Sequence, residues 1–402
     1  MADRHLTLAG VTTALVGFTS SSAVVLAGLH AVGATSAQAA SGLVALCVTQ
    51  AVGMLWLSHH HRMPLVLAWS TPGAALLASS GAVSGGWAAA VGAFLVVGLL
   101  VLLTGVWSLL GRLVTAIPTA LAQAMLAGVL VSLCLAPVRG LVEEPVLVVP
   151  VVLVWLALLR LAPRWAAPAA FGAALLVLGL AAARDGGLSG PLLPTLAPVV
   201  PTLTWASVLG VALPLYVVTM ASQNVPGVAV LASYGFRVPW RSSMTVTGLG
   251  TVLGAPFGGH AINLAAITAA LAASPETHPD PRQRWRAVWV AGWVYLALAV
   301  AATALTTLVA TAPAVLAAVA GLALLPTLAS SLAGAMGEDA AGHREAAVVT
   351  FVVAASGVTV LGIGAAFWAL LAGLVVLGVL TLARPRPASS SVEPSTADHR
   401  DG

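Results

Sequence analysis

The chain has 402 residues, of which 60% are hydrophobic and only 7% charged. A water-soluble domain carries roughly 25% charged residues, so composition excludes a soluble fold and leaves room for about a dozen membrane spans of ~20 residues. The formal net charge of +4 comes entirely from Arg, since there is no Lys; basic anchors of cytoplasmic loops account for it, and a nucleic-acid partner is not expected.

Hydropathy predicts fourteen segments. They are 8–31, 38–57, an interrupted 63–81, 86–110, 114–136, 145–162 and 165–183, then, after a Gly/Pro-rich loop at 185–204, 205–232, 243–256, an interrupted 257–273, 287–311, 313–332, 346–361 and 363–383. The apolar run Leu6–Val32 is too long for the 7–15-residue core of a signal peptide, so it is read as the first span. The tail from 384 to 402 is rich in Pro, Ser and charge and reads as disordered. With the N-terminus inside, fourteen arginines fall in cytoplasmic loops and only Arg139 and Arg184 outside. That bias predicts both termini on the cytoplasmic side of the inner membrane.

The chain also echoes itself. Ser70–Ser79 aligns with Ala265–Ser274 at an offset of 195, and Leu113–Pro118 aligns with Leu308–Pro313 at the same offset. Seven segments separate the two copies, so they take opposite orientations, as in the inverted repeats of secondary transporters.

Three polar clusters lie at membrane depth. The first is Trp69-Ser-Thr-Pro-Gly73, where Ser70 or Thr71 suits the N-cap of a half-helix with Pro72 in its first turn. The second is Thr219-Met-Ala-Ser-Gln-Asn-Val-Pro-Gly227. The third is Ala255-Pro-Phe-Gly-Gly-His-Ala-Ile-Asn263. Pro256, Gly258 and Gly259 do not belong in a regular helix, so this stretch predicts broken backbone followed by a half-helix beginning near His260. Broken backbone at membrane depth is tolerated only where it is buried in protein or lines a cavity. The two half-helix N-termini, facing each other, make an anion site.

All twelve Asp and Glu residues fall in loops, ends or tails. A cation site would call for a carboxylate within the membrane, so an anionic substrate is favoured. The candidate binding residues are Ser70, Thr71, Gln223, Asn224, Gly259, His260 and Asn263, with His260 as the one titratable side chain and candidate proton carrier. The competing readings are a neutral His260 that holds the break in shape, and interhelical hydrogen bonding for Ser222, Gln223 and Asn224. His30 reads as an interfacial residue, and His59-His-His-Arg62 as a basic cytoplasmic loop rather than a metal site. Gly248, Gly250 and Gly254 read as close helix packing, and Cys47 and Cys134 as small core residues. No catalytic set, metal site or cofactor is expected; a proton gradient supplies the driving force.

These clusters carry a resemblance. Met63–Leu76, Leu213–Gly227, Ala255–Ala270 and Ala354–Trp368 resemble the BenE family of benzoate/proton symporters, and the likeness runs from about residue 8 to 383. The resemblance implies an all-α fold like that of uracil and sulfate permeases, with fourteen segments in two inverted sevens. It implies a core domain built from residues 1–112 and 205–312 and a gate domain built from 113–204 and 313–383. Substrate would lie between the broken third and tenth segments, facing the eighth. Uracil permeases carry glutamates in the eighth and tenth segments, where this sequence reads Ser222-Gln-Asn224 and His260-Ala-Ile-Asn263. That departure argues against a nucleobase, agrees with an anionic substrate and leaves no carboxylate to serve as proton carrier; the resemblance itself implies a small aromatic carboxylate imported with protons. The alternatives are a carrier of another small anion or weak acid, or an anion channel. Related folds are often dimers, which makes a homodimer the expectation by analogy.

Overall fold

The computed structural model describes residues 2–107, 117–184, 187, 190–337 and 343–383. The predicted disordered tail, the domain boundary at 112–113 and the ends of the fourth and fifth segments lie outside the described residues.

The protein is an all-α polytopic membrane protein. Its helices are α1 (Ala2–Ala31), α2 (Ser36–His61), α3 (Thr71–Ser80), α4 (Gly86–Val106), α5 (Thr119–Cys134), α6 (Ala136–Glu143), α7 (Pro145–Leu161) and α8 (Pro163–Arg184), followed by α9 (Trp205–Ser233), α10 (Trp240–Gly254), α11 (Ile267–Ala273), α12 (Trp285–Val309), α13 (Pro313–Met336), α14 (Arg344–Ala355) and α15 (Ala365–Ala383). Among the described residues, nine helical stretches are long and apolar enough to cross a membrane. The predicted segments recur with modest changes of boundary. The 346–361 segment ends early, at Ala355, because Gly357, Leu361 and Gly362 adopt positive φ and turn the chain. His59–His61 form the last turn of α2 rather than a loop, and the helix stops at Arg62 in the left-handed conformation.

Two short strands, β1 (Leu67–Trp69) and β2 (Ile262–Leu264), pair antiparallel, with Leu67 opposite Leu264 and Trp69 opposite Ile262. Helical periodicity did not predict them. The half-helix expected to begin near His260 begins instead at Ile267, after β2. Once Pro256 and Gly258 (φ 95°) end the preceding helix, the freed backbone groups need partners, and pairing with β1 supplies them. β1 and β2 lie 195 residues apart, matching the echo in the sequence.

α9 is one continuous helix interrupted by two π-helical turns, Val208–Ala212 and Met220–Asn224. Pro214 and Pro226 each follow one of these turns by two residues. A proline donates no hydrogen bond and crowds the carbonyl four residues earlier, here Gly210 and Ser222, and widening the turn relieves that conflict.

α2 packs on α12 and α10, α10 on α4, and α1 on α12 and α3; α5 packs on α13 and α14, α7 on α8, and α14 on α15; and α1 against α13 and α8, with α3 against α5, joins the one set to the other. Glycines set the closest approaches: a β-carbon at Gly248 would collide with the backbone of Leu102, so α10 and α4 touch main chain to main chain. Gly248 has the close helix packing expected of it, whereas a β-carbon at Gly250 would meet the Ile262 side chain of β2 and one at Gly254 would make only an ordinary contact, 3.4 Å from Thr49. The described part of the 185–204 loop straps the fold: the backbone N–H of Val199 donates to Pro256, that of Thr202 to Ala88, and that of Ala197 to the Ser41 hydroxyl.

Candidate substrate site at the β1–β2 ribbon

The site is built from the ribbon outward. Strand alternation puts Leu67, Trp69, Ile262 and Leu264 on one face, and Ala68, Ser70, Ala261 and Asn263 on the other. The first face is anchored. Trp69 donates its indole N–H to Ser21 at 2.8 Å and packs edge-on against Phe18 and Tyr295, which fixes β1 to α1 and α12.

Of the two N-cap candidates for α3, Ser70 and Thr71, it is Ser70 that caps the helix. Its hydroxyl accepts from the Gly73 N–H at 3.1 Å and lies 2.8 Å from the Thr219 hydroxyl on α9. Its backbone N–H donates to Ala261, continuing the ribbon. Thr71, at the first position of α3, is half-buried.

His260 is fully buried. Its Nε2 lies 3.0 Å from the Ser70 carbonyl. A carbonyl only accepts, so Nε2 carries hydrogen and a neutral ring leaves a lone pair on Nδ1. Nδ1 has no partner among the described residues. The ring also meets Phe94 edge-on at 6.3 Å. Gly258 and Gly259 make this approach possible. A β-carbon at Gly258 would lie 3.0 Å from Trp87, and one at Gly259 would lie 3.2 Å from the Gly254 carbonyl oxygen.

Asn263 is buried on the second face of the ribbon, and its Nδ2 donates to the Leu264 carbonyl at 2.8 Å while its Oδ1 is unpartnered. The buried Ser222 hydroxyl, within the π-turn of α9, is also unpartnered. Gln223 is half-buried on the same turn. Asn224 is fully buried and differently engaged: its Oδ1 accepts from the Leu264 N–H at 2.9 Å, and its Nδ2 reaches the Met220 sulfur.

That last bond belongs to a pattern. The N–H groups of Ile262 and Leu264 point away from β1, toward the open edge of the ribbon. Thr251 on α10 accepts from Ile262 at 3.0 Å, and Asn224 on α9 accepts from Leu264. Two side chains therefore satisfy the strand edge where water is scarce. Sequence reasoning missed Thr251 and Thr219. Thr219 had a signal, since it opens the polar cluster of α9; Thr251 had none beyond its position among small residues.

The structure thus joins Ser70 directly to His260 and Thr219, and Asn224 directly to β2. A cavity of about 630 Å3 opens between α1, α8, α11 and the end of α9, lined in part by His5, Thr12, Arg164, Tyr234, Ser274 and Glu276. Among the described residues, no group of His, Cys, Asp and Glu could hold a metal ion.

Comparison with known proteins gives a consistent picture. The profile of the "Benzoate membrane transport protein" family, BenE, matches residues 2–379. The chain is 41% identical over 382 residues to "Inner membrane protein YdcO" of Escherichia coli (strain K12), covering 94% of this chain and 96% of that one. It is 29% identical over 380 residues to "Benzoate membrane transport protein" of Acinetobacter baylyi (strain ATCC 33305 / BD413 / ADP1), covering 93% and 94%. Among solved structures it is similar to the transmembrane domain of a cyanobacterial bicarbonate transporter, BicA, with a TM-score of 0.59 at 16% identity, covering 93% of this chain and 97% of that one. It is equally similar to SLC26A9, with a TM-score of 0.59 at 15% identity over 93% of this chain and 65% of that one.

Proposed function

The chain belongs to the benzoate membrane transport protein family, BenE, and from that premise we propose that it is a proton-coupled symporter importing benzoate or a similar aromatic carboxylate by alternating access. That it is a multi-pass membrane transporter follows from the family and the fold. The substrate class and the coupling are the proposal.

One observation carries it. The buried polar atoms left without partners at the ribbon include two acceptors, His260 Nδ1 and Asn263 Oδ1. A bare carboxylate has only acceptors to offer them. A proton supplies the missing donor, either on Nδ1, which can then hold a carboxylate by a charge-assisted bond, or on the acid itself, which can donate to Asn263. Substrate and proton therefore bind together better than the anion alone. The membrane potential favours the same stoichiometry, because it opposes entry of an anion by about 2.3 kcal/mol per charge per 100 mV, and one accompanying proton removes that cost.

In this reading Ser70, Thr71, Gln223, Gly259, His260 and Asn263 surround the carboxylate, while Asn224 acts through β2, which it holds in place. The set containing α1–α4 and α9–α12 is the core domain, and the set containing α5–α8 and α13–α15 the gate. Seven segments in each half, with antiparallel β1 and β2 at equivalent positions, suit an inverted repeat. The 630 Å3 cavity is the cytoplasmic vestibule, where Arg164 meets the outgoing anion.

The test is uptake of labelled benzoate into proteoliposomes under an imposed pH gradient, with empty liposomes as the control because the protonated acid crosses lipid unaided. Saturable uptake driven by the gradient supports the proposal. Saturable uptake indifferent to the gradient would retain a carrier and discard proton coupling. Flux that neither saturates nor counterflows would indicate a channel.

A further inference from the structure

The lipid-facing side of α2 and α10 carries a groove of about 680 Å3 whose lining is almost wholly apolar. Val48, Val52 and Trp56 line one wall at four-residue spacing, and Thr245, Leu249 and Leu253 line the other. Both stripes continue by one more turn at the same end of the groove. His60 follows Trp56 and stacks on it at 4.8 Å, and Arg241, which is exposed, precedes Thr245. The helices run antiparallel in a register that brings these two residues to the same end: a β-carbon at Gly53 would lie 3.1 Å from Val246, and one at Gly250 would lie 3.6 Å from Thr49. Leu196, from the extended strap, and Phe257 line the opposite end.

We infer that this groove binds one acyl chain of an anionic phospholipid, with the phosphate held at His60 and Arg241. Three features point to that occupant. The groove extends about 18 Å along α2 from Val44 to Trp56, slightly more than the ~15 Å hydrocarbon depth of one leaflet. The Arg241 guanidinium continues the lining at one end, while apolar Leu196 and Phe257 line the other, so the headgroup belongs at the Arg241 end. That end is the cytoplasmic one in the orientation proposed above, and anionic lipids concentrate in that leaflet. Charge complementarity therefore selects the headgroup, while the apolar walls select only a hydrocarbon chain.

The experiment is lipid binding to the purified full chain in detergent, read by native mass spectrometry. It compares phosphatidylglycerol with phosphatidylcholine of the same acyl chains. The readout is bound mass, so it stands or falls separately from transport. Wild type should bind the anionic lipid roughly five- to tenfold more tightly. Arg241→Gln with His60→Gln should erase that preference and leave phosphatidylcholine binding unchanged. Leu249→Trp, which fills the groove, should weaken both lipids; if it does not fold, Val52→Leu makes the same test more gently. Equal retention of the two lipids by wild type would overturn the inference, and so would a preference that survives the double substitution. A dimer that carries no lipid and dissociates on Leu249→Trp would assign the groove to a second copy of the chain instead.

Discussion

His260 Nε2 donates to the main-chain carbonyl of Ser70 at 3.0 Å, tying the segment that leads into β2 to the N-cap of α3. The bond fixes the ring in one tautomer and turns the other nitrogen into a buried acceptor without a partner. His260→Ala is therefore expected to abolish gradient-driven benzoate uptake. His260→Gln, whose Nε2 can still donate to Ser70, should keep the fold and lose the coupling. The check is uptake with and without a pH gradient, alongside thermal unfolding in detergent. Gradient-driven uptake at the wild-type rate in both variants would remove histidine as the proton carrier.

Ser70 and Thr219 bring their hydroxyls to 2.8 Å, joining α3 to the π-turn region of α9. Ser70→Ala removes both this bond and the cap on Gly73, at an expected cost of about 1–2 kcal/mol. Thr219→Val removes only the bond and should cost about 1 kcal/mol. A double-mutant cycle on unfolding should show the two substitutions to be less than additive, because they delete one shared interaction. Strict additivity would mean the contact contributes nothing.

Asn224 and Thr251 accept from the outer N–H groups of β2. Replacing Asn224 with Leu, or Thr251 with Val, strands a buried donor, and each should destabilise the protein by about 1–3 kcal/mol. Because they hold the strand that carries Asn263, the apparent affinity for benzoate should fall as well. Unchanged stability together with lost binding would instead put Asn224 in contact with substrate.

Gly258 has φ 95°, and a β-carbon there would lie 3.0 Å from Trp87. Gly258→Ala should lower the unfolding midpoint, with about 1–2 kcal/mol from the backbone conformation alone and more from the crowding. Gly172 in the middle of α8 has nothing within 4 Å of its missing β-carbon. Gly172→Ala should be neutral or stabilising by up to about 1 kcal/mol. Measuring both by thermal unfolding separates a glycine that the fold requires from one that it tolerates.

Arg139 and Arg160 lie on either side of the body of α7, in the middle of α6 and in the last turn of α7 respectively. The predicted topology puts them on opposite sides of the membrane. In a background lacking Cys47 and Cys134, Arg139→Cys should react with a membrane-impermeant thiol reagent added to intact cells, and Arg160→Cys only after permeabilisation. Labelling of both from one side would break the topology between them.

Much of this protein was legible without its structure, for a definite reason in each case. Hydrocarbon accepts only helices or fully paired backbone, so membrane segments appear as long apolar runs, and most of the long helices fall close to the runs that predict them, whereas the short α6 (Ala136–Glu143) lies between two of those runs. Pro72 behind Ser70, and Pro256 with Gly258 and Gly259, act on their own backbone, and the breaks occur where those residues stand. β1 and β2 stand 195 residues apart, the same offset as the echo in the sequence.

What tertiary structure alone decided was where the freed polar groups go. Broken backbone must find partners, and those partners are far away in the chain: β1 for β2, Ser70 for His260, Thr251 and Asn224 for the outer edge of the ribbon. No local pattern encodes such pairings, which is why a half-helix was expected to start near His260 and a strand was found instead. The same holds for function. Composition marked Asn224 and Asn263 alike as polar residues in apolar surroundings. Only packing consumes the carboxamide oxygen of the first on a backbone N–H and leaves that of the second, buried and unpaired, at the ribbon.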